Sequence, residues 1–160
     1  MKKIQFAFLA ILFLLFSSCQ EKIDVETEKA AIIEVLNAEG STFAANDLEG
    51  VFALHVQDEL STRYSGNKVY KGWDEIKALY DSYIERNTGD TTWTNARNIK
   101  ENIILKVTGN TAWLICDNIW KFEFNNEPQE MSNVQIAFFE KLDGTWKISF
   151  NAFVPKAPSE

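Results

Sequence analysis

The hydrophobic period of this chain changes once, near Asn87, and that change constrains the fold more than any other feature. Before it, apolar residues recur at helical spacing. Val25, Ile32, Leu36 and Phe43 stand seven or four apart, with Ile33 beside them, as a stripe along one helix. Ile76, Leu79, Tyr80, Tyr83 and Ile84 fall at i, i+3, i+4, i+7 and i+8. Gly72 opens that helix, with Asp74 and Glu75 in the first turn, where the helix dipole favours acids. Asn46 and Glu49 have capping-box spacing ahead of a short helix carrying Val51, Phe52 and Leu54. Residues 57–64 predict a strand, ended by a turn at Ser65-Gly66-Asn67. After Asn87 the period is two. Residues 93–107 predict a long kinked strand, followed by strands over 111–124, 131–141 and 145–154. Gly109-Asn110, Asn125-Asn126-Glu127-Pro128 and Asp143-Gly144 separate them. Helices set apart from an antiparallel sheet make an α+β domain.

The N-terminus predicts an address. Lys2 and Lys3 precede an apolar run from residue 4 to 16, and Ser17, Ser18 and Cys19 follow. Thirteen helical residues rise about 20 Å, too little to cross a hydrocarbon core of about 30 Å. A basic start, a short apolar stretch and small residues at its end make a secretory signal rather than a membrane span. Leu15-Phe16-Ser17-Ser18-Cys19 resembles a lipobox, the site where bacteria acylate a cysteine and cleave before it. The expected organisation is a signal peptide over 1–18, a lipidated tether over 19–24, one domain over 25–154 and a tail over 155–160. The expected location is the bacterial cell envelope, periplasmic or surface-exposed, with the lipid on Cys19 as membrane anchor.

Losing Lys2 and Lys3 from 16 basic residues leaves 14 against 23 acidic ones, a net charge of −9. That balance argues against nucleic acid as a partner. Cys116 is then the one thiol left besides Cys19, so no internal disulfide can form and the core must carry stability. One histidine and one internal cysteine do not make a zinc site, and seven scattered glycines form no phosphate-cradling loop. No metal and no cofactor are therefore expected.

Four stretches, Ala45 to Leu54, Tyr70 to Ile76, Gly109 to Trp113 and Asp143 to Ile148, together resemble the nuclear transport factor 2-like superfamily, in that family's order. Within it, the chain is most similar to SnoaL-like lipoproteins of Bacteroidetes-type bacteria. The resemblance implies three N-terminal helices packed on a curved antiparallel sheet, a cone around an apolar pocket, and pairing of the open sheet with a second copy as a homodimer. It does not imply one function, because this fold hosts isomerases, cyclases, dehydratases and binders. Against the ketosteroid isomerase branch, the tyrosine position falls on Glu39, the base position on Arg63 and the oxyanion acid near Gln135 or Ile136. None of the three catalytic groups is kept, and a guanidinium cannot serve as a base.

Strand alternation puts Trp113, Ile115, Asp117, Ile119 and Lys121 on one face, and Ala112, Leu114, Cys116, Asn118 and Trp120 on the other. Both sets hold large apolar residues, so the pattern does not choose between them. The resemblance places the first set toward the pocket. Trp113, Ile115, Asp117 and Ile119, with Arg63 and Tyr64, then form the expected ligand-binding set. His55 is either an acid–base group paired with Asp117 or a histidine hydrogen-bonded locally at a helix end. Arg63 either grips a carboxylate-bearing ligand or pairs with Asp58, Glu59 or Asp117. Tyr64 either offers its hydroxyl or packs. Trp73, Trp113 and Trp146 fit core positions, while Trp93 and Trp120 fit a pocket rim or a dimer face. Cys116 reads as a buried structural thiol.

The leading expectation is a membrane-anchored module of the envelope that binds a small apolar or carboxylate-bearing molecule, or a partner protein. The alternative is a lyase, isomerase or cyclase built on His55, Asp117 and Arg63. An interaction protein whose cone is packed solid is the third reading.

Overall fold

The computed structural model describes residues 24–87 and 93–156. The expected signal peptide, Cys19, most of the tether and the last four residues lie outside them. Helix α1 (Val25–Ala44) starts at Asp24, whose carboxylate accepts from the N–H groups of Glu26 and Thr27 at 3.2 and 3.4 Å. Helix α2 (Leu48–Ala53) is capped by Asp47, which accepts from Gly50 N at 2.9 Å. The cap is one residue later than the expected Asn46, which instead takes a positive φ of 56° in the turn between the helices.

Strands β1 (Thr62–Ser65) and β2 (Lys68–Lys71) form a hairpin before helix α3 (Trp73–Asn87). The three helices are therefore not all N-terminal. Strand β2 escaped sequence reading because it is four residues long and mostly exposed, so it carries no alternation. Strands β3 (Trp93–Thr108), β4 (Thr111–Phe124), β5 (Glu127–Leu142) and β6 (Thr145–Pro155) complete a six-stranded sheet in the order β2-β1-β6-β5-β4-β3. Every neighbouring pair is antiparallel except β1 and β6, which run parallel. Asn125 and Asn126, at φ of 52° and 65°, make the whole β4–β5 turn. Glu127 and Pro128 belong to β5, opposite Phe124 and Glu123, rather than to a four-residue break. Strand β6 reaches Pro155, and Lys156 pairs with Asp117, so the first two residues of the expected tail belong to the domain.

The kink expected in β3 has a specific form. Between Glu101 and Ile104, two residues of β3, Asn102 and Ile103, stand opposite one of β4, Cys116, with Asn102 at a φ of 51°. One extra residue inverts the alternation. Before the bulge, Asn98 and Lys100 face inward; after it, Ile103, Leu105 and Val107 do, and Ile104 is left 61% exposed outside.

The inner face of the sheet is accordingly divided along its strands. Toward one end, Ala112, Leu114, Ala137, Phe139, Trp146 and Ile148 pack against Ile32 and Leu36 of α1. Each fully buried leucine or isoleucine there contributes about 1.5–3 kcal/mol relative to exposure. A smaller core joins Val51 and Phe52 of α2 to Ile76 and Tyr80 of α3. Toward the other end, the inner face carries polar residues and the helices stand away from it. The exception is Gly40, where α1 comes against β3 closely enough that a Cβ would collide with the Asn98 side chain.

Candidate functional site

A cavity of about 530 Å³ opens between α1, α3 and the polar end of the sheet. Phe43, Tyr83, Trp120 and Phe153 supply aromatic walls, and Asn98, Lys100, Asn118 and Asn133 supply polar ones. The register explains the polar row: Lys100, Asn118 and Asn133 are direct cross-strand partners on β3, β4 and β5. Glu39, Arg63 and Tyr80 form the deepest part.

Glu39 organises that floor. Its Oε1 accepts from Asn151 Nδ2 at 2.7 Å, Tyr80 Oη at 3.1 Å and Arg63 Nη1 at 3.3 Å, and its Oε2 from Gln135 Nε2 at 3.1 Å. Burial opposes its ionisation, but Arg63 and then Lys100 outweigh burial and hold the carboxyl below its usual range. Arg63 also donates to Tyr80 Oη, and its guanidinium lies 4.6 Å from the ring centroids of both Tyr80 and Phe153. Burial pushes the Tyr80 hydroxyl well above its ordinary value, so it stays protonated. His55 Nε2 lies 3.1 Å from the same hydroxyl. Burial, with Arg63 and Lys147 adding to it against the pull of Glu39, lowers His55 to about 4, so it is neutral near pH 7. The Tyr80 hydroxyl has one proton to give, so if it donates to Glu39, His55 must donate to it through Nε2.

An ordered chain of amides leads from this floor to the cavity wall. Gln135 donates through Nε2 to Glu39 and to Asn151 Oδ1, and accepts through Oε1 from Lys100 Nζ. Lys100 also donates to Asn118 Oδ1 at 2.6 Å, which accepts in addition from Asn98 Nδ2 at 2.7 Å. Desolvation lowers the Lys100 ammonium from its ordinary value, with Glu39 opposing. Arg63 Nε is buried without a protein partner, beside a hollow of about 10 Å³ that Arg63 and His55 also line. That volume is near the lower limit for one water.

The expected sites fare unequally. Arg63 does face the cavity, but it is paired with Glu39 and not with Asp58, Glu59 or Asp117. His55 is held by Tyr80 and Glu39 at the end of α2, and it lines the small hollow rather than the cavity. Asp117 is on the opposite face of the sheet. It bonds Asn102 at 2.8 Å and Lys156 at 2.9 Å, and those two contacts hold its carboxyl below the usual range. The sheet therefore separates Asp117 from His55 and Arg63. Trp113, Ile115 and Ile119 share the outer face with Asp117, where Ile115 is 36% exposed. The face chosen through the resemblance is the wrong one; Leu114, Cys116, Asn118 and Trp120 point inward. Tyr64 also points away from the cavity, bonding Asn67 at 3.1 Å. Trp120 lines the cavity, as one of its two expected settings had it, and Trp146 is core. Trp113 is not. Cys116 is buried, and burial pushes its thiol up.

Glu39, Arg63 and Gln135, which the ketosteroid isomerase comparison aligned with catalytic positions, do converge in space. The buried, paired setting of Glu39 had a sequence signal. It lies on the stripe of Ile32, Leu36 and Phe43, where a carboxylate requires a buried partner. Lys100, Asn118, Asn133 and Asn151 had none, because each is equally ordinary on a solvated strand face.

The sequence profile of the SnoaL-like domain matches residues 32–152. No curated protein matches the chain. Among solved structures, a proposed dehydratase of the nuclear transport factor 2-like family from Streptomyces avermitilis superposes with a TM-score of 0.70 at 15% identity, covering 82% of this chain and 98% of that one. A nuclear transport factor 2-like protein with a cystatin-like fold from Novosphingobium aromaticivorans superposes with a TM-score of 0.68 at 16% identity, over 89% and 94%. A superfamily member from Salmonella enterica gives 0.69 at 16% identity, over 84% and 96%. At these identities the likeness concerns the fold.

Proposed function

Since the chain belongs to the SnoaL-like domain family, whose fold serves both catalysis and binding, we propose that this member is a binder. Its cavity takes up a small, partly aromatic molecule at the bacterial cell envelope, and lipid on Cys19 holds the domain to the membrane. The observation that carries the reading is a cavity of about 530 Å³ whose buried carboxylate is already engaged by four donors. That volume is within the range of small-molecule sites. A cone packed solid would have favoured a pure interaction protein.

A lyase or dehydratase needs a proton acceptor in contact with its substrate, poised near the working pH. Glu39 is held ionised by its cationic neighbours, which makes it a weak base, and His55 stands behind Tyr80. An acid–base site of His55, Asp117 and Arg63 is not assembled by this fold.

Native mass spectrometry of protein extracted from its own membrane tests the binding reading. A co-purifying small molecule is expected in the parent protein, and its loss in Ala96→Phe, which fills the cavity from β3. Protein that carries no ligand and whose thermal stability no small-molecule panel shifts would overturn it. For the anchor, Cys19→Ser is expected to move the protein from the membrane to the soluble fraction; a membrane-bound Cys19→Ser protein refutes it.

A further inference from the structure

We propose that Lys100 anchors a monocarboxylate, so that the cavity selects small aryl or arylalkyl carboxylic acids as their anions. The inference rests on the binding reading above and names the ligand class for the same site.

The argument is one of charge balance in a desolvated space. Glu39 and Arg63 neutralise one another by direct contact, and His55 is neutral. Lys100 is the remaining charge of the polar cluster, which leaves the cavity lining with a net +1 when its ammonium is protonated. The bonds it makes are to amide oxygens, Asn118 Oδ1 and Gln135 Oε1, and no described carboxylate lies within ion-pairing distance of it. An ammonium has three donors, so one remains after those two. A buried charge is costly unless paired, and a ligand anion would pair it. The count also selects the valence: one uncompensated cation matches one negative charge, whereas a phosphate dianion would leave a charge of its own in the same low-dielectric space. The walls select the rest of the molecule. Phe43, Tyr83, Trp120 and Phe153 offer ring faces and edges for an aromatic body. Arg63, the expected carboxylate grip, is already committed to Glu39 and stacked between two rings.

The test compares 3-phenylpropanoate with its neutral amide, 3-phenylpropanamide, by calorimetry at pH 7.5. The parent protein is expected to bind the acid at least tenfold more tightly. Lys100→Met is expected to abolish that preference by weakening the acid at least tenfold, and Lys100→Arg to restore part of it. Equal affinities in the parent protein overturn the carboxylate anchor and leave the binding reading standing. A Lys100→Met protein that weakens acid and amide alike overturns it too, since a charge-selective contact cannot act on the amide. If neither probe binds at millimolar concentration, the carboxylate anchor is overturned, while the binding reading is decided separately by the native mass spectrometry and the small-molecule panel.

Discussion

Glu39→Gln is expected to destabilise the folded protein by about 3–5 kcal/mol, the cost of breaking a buried ion pair from one side. Glu39 is 5% exposed and Arg63 8%, so little water reaches either partner. The substitution keeps the shape of the side chain and removes its charge. It leaves Arg63 without a counter-charge, with Lys100 a second cation on the same network. It also turns one carboxylate oxygen into an NH₂ group, which would face donors from Gln135 or from Asn151, Tyr80 and Arg63. For a domain of this size the loss corresponds to a fall in Tm on the order of 10–20 °C. Arg63→Met should cost less, because Gln135, Asn151 and Tyr80 still donate to the carboxylate and the Lys100 charge, at longer range, still favours its ionisation. The double substitution should recover part of the loss, since two apolar or neutral groups cost less than one stranded charge. Urea denaturation of the three variants measures this ordering. A Glu39→Gln unfolding free energy within about 1 kcal/mol of the parent protein would mean that the network does not hold the floor together.

The helices were legible because their apolar residues repeat at a period that only one conformation satisfies, as Ile76, Leu79 and Tyr80 do on α3. The four long strands were legible for the same reason, and Gly109, Asn125 and Asp143, residue types that tolerate the positive φ they adopt, marked their turns. The inward face of β4 was not. Trp113, Ile115 and Ile119 are as apolar as Leu114, Cys116 and Trp120, and the outer face stays apolar through Phe138 and Val154. A period of two defines a pair of faces without saying which is inside. In β3 the period itself is interrupted, because the bulge at Asn102 moves the inward positions from even to odd numbers. The cavity is lined where the inward residues are amides, and an asparagine reads the same in a turn, on a surface or in a buried network. Its role at positions 98, 118, 133 and 151 depends on partners from other strands, which no local pattern records. Glu39 was the exception, being a charge on an apolar stripe.

Stability should fall by about 2–3 kcal/mol as pH drops from 7 to 4.5, and His55→Gln should remove most of that slope. In the unfolded chain the imidazole takes a proton near its ordinary value of 6.5; in the fold it resists until about 4. The unfolded state therefore binds more protons throughout that interval, and stability rises with pH across it. The contribution of neutral His55 is complete above about 6.5 and disappears on the way down to 4. The shifted carboxyls act elsewhere. Glu39 and Glu28 lie below an ordinary 4.5, and Asp24 and Asp117 below 3.8, so their contributions start to fade only near those ordinary values and are lost mainly at more acid pH. Among the described residues with a shifted value, most of the slope between 6.5 and 4.5 thus belongs to His55. Its neutral state follows from burial among Tyr80, Trp73 and the Arg63 guanidinium, with Lys147 adding to the positive field and Glu39, at 3.7 Å, opposing it. Urea midpoints at pH 7, 5.5 and 4.5 would show the parent protein losing stability at each step. A His55→Gln protein with the same slope would show that the imidazole titrates normally, and hence that water reaches the space behind Tyr80.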